Sequence, residues 1–269
     1  MNQPKVAVVT GISSGIGRAT ATELARRRFR VFGTVRSAGG ADLPGVEPVV
    51  LDVRDETSVQ RGIGEILAKA GRIDVLVNNA GVNILGAIEE TDTAQARDLF
   101  DVNFFGAVRA TRAVLPAMRA QRAGRIVFVS SVLGFLPAPF MGFYAASKHA
   151  IEGYSESLDH EVRALGIRAL LIEPGFMKTR LDKNATAATR SIGDYADARA
   201  RVGASIGTSV AAGGDPSIVA SVIADAVEDQ KPRLRYPVGK GAGMLARLRA
   251  FLPARVFDRS LRNQFHVEA

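Results

Sequence analysis

Cysteine is absent from the 269 residues, which excludes disulfides, thiolate nucleophiles and cysteine-ligated metals and fits a reducing compartment. Histidine is scarce: His149, His160 and His266 are the only three, too few for a histidine-ligated metal, and the acidic residues show no metal-ligand spacing. No metal is expected. Apolar runs able to cross a membrane are also lacking. The one long uncharged window, 126–147, has the length, but Ser130, Ser131, Gly134, Pro137 and Pro139 divide it into a strand end, a loop and a helix start. Residues 1–5 lead directly into a strand-like run, without the basic and apolar regions of a secretory leader, so the expected location is the cytoplasm. No internal repeat or low-complexity linker marks a second domain, which argues for one domain at a length that allows two.

Charge is present in excess and unevenly placed. The net charge is +8, and from residue 231 to the end nine Lys or Arg face two acids. Such a balance admits nucleic acid, an anionic membrane surface or an acidic ligand. No nucleic-acid-binding module accompanies it, so nucleic acid is not an expected partner.

Hydrophobic periodicity alternates between strand and helix. Strands are expected at 6–10, 30–35, 47–53, 73–77, 125–129, 167–173 and 234–238. Between them come a helix ending near Arg28, one capped by Asp55 and ending near Gly71, and a single long helix over 92–121. Further helices are expected over 144–165 and 216–230, while 176–214 reads as a polar, alanine-rich segment. This pattern specifies an α/β fold, a doubly wound, parallel, seven-stranded sheet with helices on both faces.

Gly11, Gly15 and Gly17 lie between the first strand and the first helix, with Ser13, Ser14 and Ile16 among them. Backbone N–H groups and a helix N-terminus there can face a pyrophosphate, although glycines also serve tight turns. The spacing G-x-x-x-G-x-G is a variant of the usual dinucleotide loop of a single-domain Rossmann fold. At the end of the second strand, where a carboxylate would meet a ribose 2′-hydroxyl, the chain has Thr34-Val35-Arg36-Ser37. Arg36 suits a 2′-phosphate, with Ser13 as a further donor, so NADP is expected in preference to NAD. Otherwise Arg36 is a solvated strand-end charge.

Tyr144 and Lys148 are an i, i+4 pair on one helical face. A cation beside a phenol favours the phenolate and brings its pKa toward the operating range, as proton exchange with an alcohol or carbonyl oxygen requires. Alone the pair is weak, since Tyr-x-x-x-Lys is common on surface helices.

Taken together, Thr10-Gly11-x-x-x-Gly15-x-Gly17, Asn78-Asn79-Ala80-Gly81, Asn103, Ser131, Tyr144-x-x-x-Lys148 and Pro174-Gly175 resemble the short-chain dehydrogenases/reductases over residues 5–239. The stretches at Thr34, Leu51, Ser147 and Lys231 look most like the 17β-hydroxysteroid dehydrogenase and retinol dehydrogenase branch. The resemblance implies that Tyr144 is the general acid/base, that Lys148 lowers its pKa and holds the nicotinamide ribose, and that Ser131 hydrogen-bonds the substrate oxygen. It also implies that Asn103 helps hold a proton-relaying water, that Asp52 and Val53 meet the adenine, and that Asn79, Ala80 and Gly81 line the ribose and pyrophosphate path. Pro174, Gly175 and Thr179 would border the nicotinamide, Thr179 touching its carboxamide. By analogy the helices over 92–121 and 144–165 pair between subunits, giving a homodimer or homotetramer.

Around the expected reaction centre stand Val132, Leu133, Phe135, Leu136, Phe140, Met141, Phe143, Phe176 and Met177. These suggest a hydrophobic alcohol or ketone, steroid-, retinoid- or lipid-like, with Leu133 and Phe176 touching it and 176–214 as a mobile lid on the domain 1–239. Filling of the core is the competing explanation. The tail 240–269 interleaves Met244, Leu245, Leu248, Phe251, Leu252, Val256, Phe257 and Leu261 with arginines. It is expected to pack over the cleft or a neighbouring subunit, with peripheral contact to an anionic membrane as the alternative. The alternative functions are an NADPH-binding regulator without turnover and a reductase of small carbonyl compounds.

Overall fold

A computed structural model describes residues 3–181, 185–251 and 254–265. In chain order it begins β1 (Val6–Val9), α1 (Gly15–Arg26), β2 (Arg30–Val35), β3 (Val46–Val50), α2 (Glu56–Ala70), β4 (Val75–Asn78), β5 (Ile84–Leu85), α3 (Thr93–Phe100) and α4 (Gly106–Gln121). It continues β6 (Gly124–Val129), α5 (Gly142–Val162), β7 (Ile167–Pro174), β8 (Thr186–Ala187), α6 (Ala196–Ala211), α7 (Pro216–Glu228), β9 (Arg235–Val238), α8 (Ala242–Phe251) and α9 (Ala254–Phe265).

Seven strands form one sheet in the order β3-β2-β1-β4-β6-β7-β9, and all its pairings are parallel. Because side chains alternate along a strand, each strand feeds two cores. Ala7 and Val9 pack with Ala21 and Leu24 of α1 and Val219 and Ile223 of α7. Val6 and Val8 pack on the other face with Ile63 of α2, Val114 of α4 and Leu158 of α5. The strand order reverses at β1, which opens a crevice at the C-terminal ends of β1 and β4, where a ligand is accommodated in such sheets.

Local signals set several boundaries. The Asp55 side chain accepts the Thr57 N–H at 2.9 Å and Gly71 closes α2 in the left-handed conformation at φ 71°, where a residue with a Cβ is strained. The expected single helix over 92–121 is interrupted by a π-helical turn, Asp101–Phe105. Gly106 follows it because a Cβ there would lie 2.8 Å from Val53 Cγ2. The third strand stops at Val50 rather than at residue 53, since Asp52–Arg54 turn back on themselves, with Arg54 N–H donating to Asp52 Oδ1 at 3.0 Å. The first helix ends at Arg26 rather than Arg28, which takes a positive φ of 66°.

The polar, alanine-rich segment 176–214 holds β8 and α6 among its described residues. β8 pairs in parallel with β5, and the side chain of Glu90, fully buried, accepts the backbone N–H of Ile192 at 2.8 Å and pairs with Arg199 of α6. The tail forms two helices: α8 contacts β9 and the 3₁₀ turn Val132–Gly134, and α9 contacts α6. Residues 182–184 of the expected lid, Leu252 and His266 lie outside the described residues. No helix among the described residues is long and apolar enough to cross a membrane.

Candidate active site

The glycine turn is built by exclusion of side chains. Gly11 and Gly15 adopt φ of 72° and 58°, and a Cβ on Gly17 would lie 2.3 Å from both Asn79 Nδ2 and the Gly11 carbonyl oxygen. Thr10 ties the turn to the end of β4, its hydroxyl oxygen accepting the N–H groups of Asn79 at 2.9 Å and Ala80 at 3.0 Å. Asn79 Nδ2 donates back to the carbonyls of Thr10 and Gly11 at 2.9 and 3.1 Å. Ser14 precedes α1 with an extended backbone and no side-chain cap, so the first N–H groups of the helix keep their capacity for an anion.

This turn borders a cleft of about 780 Å³ whose wall includes Gly11, Ser13, Ser14, Gly15 and Ile16. Arg36, Asp52 and Val53 line one end, and Asn79, Ala80, Gly81, Tyr144, Lys148 and Thr179 continue the wall. Arg36 is exposed and makes no ion pair among the described residues, whereas Asp52 is held by Arg54 at 2.6 Å. The Arg54 guanidinium, through its hydrogen bonds, lowers the Asp52 pKa.

Tyr144 and Lys148 face the cleft one helical turn apart, both buried, with Lys148 Nζ 5.6 Å from the centre of the Tyr144 ring. Lys148 Nζ donates to the Val129 carbonyl at 2.8 Å. Burial pulls its pKa down to about 8, and the charge of Glu152 opposes that shift. Asn103, inside the π turn, accepts the Val82 N–H at 2.8 Å through Oδ1 and donates through Nδ2 to Val82 O at 3.0 Å and Ser147 Oγ at 3.1 Å. Ser147 in turn donates to the Tyr144 carbonyl at 2.7 Å. The π turn is thereby fastened to the helix that carries Tyr144. Ser131 caps the turn Val132–Gly134, its Oγ accepting the Leu133 N–H at 3.1 Å.

The sequence profile described as short chain dehydrogenase matches residues 5–190. The chain belongs to the short-chain dehydrogenase family. A 3-ketodihydrosphingosine reductase from Bacteroides thetaiotaomicron is 36% identical over 263 residues, covering 97% of each chain. Bovine retinol dehydrogenase 8 is 41% identical over 192 residues, 66% of this chain and 61% of that protein. Among solved structures, a short-chain dehydrogenase from Streptomyces avermitilis superimposes with a TM-score of 0.83 at 35% identity over 98% of this chain and 99% of that one. One from Burkholderia phymatum, in complex with NAD, gives 0.80 at 28% identity over 97% of each. The protein is thus an oxidoreductase with the family's doubly wound fold.

Within this short-chain dehydrogenase, not every residue expected at the site borders the cleft. Gly17, Asn103, Ser131, Leu133, Pro174, Gly175 and Phe176 stand outside its wall. Gly17 serves close packing, and Gly175 N–H donates to Val238 O at 2.9 Å, continuing the β7–β9 pairing. Leu133 and Phe176 belong with Tyr144 to one apolar cluster. Met177 fills the core shared with α1 and α7, the competing explanation for these apolar residues, and its backbone bridges to Gly214. Thr179 lies over the first turn of α1, its Cγ2 3.3 Å from where a Cβ on Gly15 would sit. Ser130 donates its hydroxyl to Glu152 and is buried, which leaves Ser131 as the serine beside Leu133. His149 is exposed, its Nδ1 2.9 Å from the Ala145 carbonyl. Arg54, which holds Asp52, and Glu152 were not expected at the site. Arg54 adjoins Asp52, and Glu152 continues the four-residue spacing of Tyr144 and Lys148; those were the available signals.

Proposed function

We propose that this short-chain dehydrogenase uses NADP(H) to interconvert a hydrophobic secondary alcohol and its ketone, steroid-, retinoid- or lipid-like. The observation that carries the reading is the double membership of Tyr144. It lines the glycine-bordered cleft and is at the same time part of an apolar cluster with Leu133, Leu136, Met141, Val202 and Phe257, against which Phe140, Phe143 and Phe176 pack. Relatives named for 3-ketodihydrosphingosine and for retinol support this substrate class.

The cleft's residues fit a dinucleotide. The uncapped α1 terminus and glycine turn suit a pyrophosphate, and the unpaired Arg36 with Ser13 and Ser37 suits a 2′-phosphate. When bound, the nicotinamide supplies or accepts the hydride. Tyr144 gives a proton to the carbonyl oxygen in reduction and takes it back in oxidation. The buried Lys148 ammonium holds the phenol's pKa down. Ser131 Oγ already accepts from Leu133 N–H, so its own proton is directed to the substrate oxygen. Asn103 has its side chain committed to Val82 and Ser147, so a relay water would be held by its carbonyl. The described parts of 176–214 would form the lid, with α9 packed on α6 and Phe257 buried in the apolar cluster.

A panel of long-chain and polycyclic ketones, set against small sugars, tests this by NADPH oxidation. Turnover of the apolar group supports the reading. Preference for sugars, or NADPH binding with no turnover of any carbonyl, contradicts it.

A further inference from the structure

One turn beyond Lys148 on the same face of α5 stands Glu152, a carboxylate only 6% exposed. Ser130, at the end of β6, donates its hydroxyl to Glu152 Oε1. Arg235 of β9 donates to Glu152 Oε2 and, at 2.8 Å, to Glu173 Oε1, while its Nη2 reaches Glu156 at 3.3 Å. Glu173, near the end of β7, is 2% exposed and accepts from the same Arg235 Nη1 as Glu152. The 3₁₀ turn over this cluster presents Gly134, where a Cβ would lie 2.6 Å from Ser130 Oγ and 2.8 Å from Glu152 Oε1. The groups facing Glu152 are therefore Ser130 from β6, Lys148 and Glu156 from α5, Glu173 from β7 and Arg235 from β9. The turn itself adds no titratable side chain.

Two buried carboxyl groups held on one guanidinium nitrogen lie close enough that, as adjacent like charges, they resist joint ionisation. Burial, then the charge of Glu152, pushes Glu173 up to about 7, against the pull of Arg235. Glu152 also supports the ammonium of Lys148 against burial. Its bond to Ser130 fixes the backbone between Val129, whose carbonyl holds Lys148, and Ser131.

We propose that Glu152 and Glu173, clamped by Arg235, form a buried one-proton site that sets the charge facing Lys148, with Glu152 as a positioning residue for the Lys148–Tyr144 pair. The proton comes from solvent and binds a carboxylate oxygen. Its loss above neutral pH adds one negative charge beside Lys148, steadies the ammonium and favours the Tyr144 phenolate. This rests on the proposed proton exchange at Tyr144.

Alcohol oxidation measured between about pH 5 and 10 is expected to show a lower step from the carboxyl pair and an upper step from the Lys148–Tyr144 pair acting together. Glu173→Gln is expected to remove the lower step. Glu152→Gln is expected to cut kcat about tenfold at neutral pH and move the upper step up by about one unit, with KM and dinucleotide Kd within about twofold, and Glu152→Asp to restore part of the loss. Variants that bind dinucleotide and keep the wild-type profile overturn the proposal. Infrared difference spectra of the wild type need neither turnover nor a stable variant. A buried carboxylic C=O band present at about pH 6 and lost by about pH 9 is expected; its absence overturns the one-proton site. If no alcohol or ketone turns over, the proposed function fails while the infrared titration still decides the proton site.

Discussion

Arg36 stands exposed at the end of β2 while Arg54, across the same end of the cleft, is occupied by Asp52. A hydrogen bond from a charged donor contributes about 1.5–3 kcal/mol. Arg36→Ala is therefore expected to weaken NADPH binding by roughly 10- to 100-fold and leave NADH nearly unchanged, measured by fluorescence titration. Equal losses for both would assign Arg36 to the surface. Gly17 is a second residue with a defined role. An alanine there meets the Gly11 carbonyl and Asn79 Nδ2 at 2.3 Å, so Gly17→Ala is expected to lower Tm by several degrees and abolish dinucleotide binding, as calorimetry with and without NADPH would show. Both residues were legible because each belongs to a short local pattern, the glycine spacing before α1 and the end of β2. Glu152 was not: its partners Glu173 and Arg235 are 21 and 83 residues away, and only the sheet order brings β7 and β9 together.

Elements packed on the large sheet followed from periodicity, and α6, packed away from it against α9, did not. Every strand of the large sheet was expected close to its place, because two buried faces impose runs such as Val6–Val9 and Gly124–Val129. α6 was missed: Gly203 and Gly207 interrupt an alanine-rich stretch with few apolar positions, of which Val202 and Ile206 are buried. Its anchor is Glu90, whose carboxyl is pushed down to about 2, first by the Ile192 N–H and further by Arg199. A carboxyl lowered in the folded state contributes stability above its ordinary pKa of 4.5 and loses it as pH falls toward 2. Glu90→Gln is expected to speed amide hydrogen exchange over 185–199 at neutral pH, and the wild type to show the same loosening below about pH 4.5. Unchanged exchange in the variant would remove Glu90 as the strap.

Across the whole molecule, the ends of β1 and β4 border the glycine-lined cleft, while α8 packs on β9 and α9 on α6. Phe257 of α9 is buried among Val202, Ile206 and Tyr144, so the tail that sequence alone left between a cleft cover and a membrane contact has one face engaged. Met244, Phe251 and Val256 point outward among exposed arginines. Removing residues 240–269 is expected to reduce turnover of apolar substrates at least tenfold while NADPH affinity changes about twofold or less, compared by kcat/KM and fluorescence titration. Equal losses would show that the tail supports the fold rather than the substrate side. Liposome flotation of the full and shortened chains on anionic vesicles reports whether the outward face also meets lipid.

The central claim is that the phenol of Tyr144, beside Lys148, exchanges a proton with the substrate oxygen. Tyr144→Phe, assayed with the best apolar ketone and NADPH, measures it most directly. A kcat reduced by roughly 10²- to 10⁴-fold is expected, with NADPH affinity within about twofold of wild type, since the cleft wall is otherwise intact. A Phe variant that reduces the ketone at the wild-type rate would contradict it.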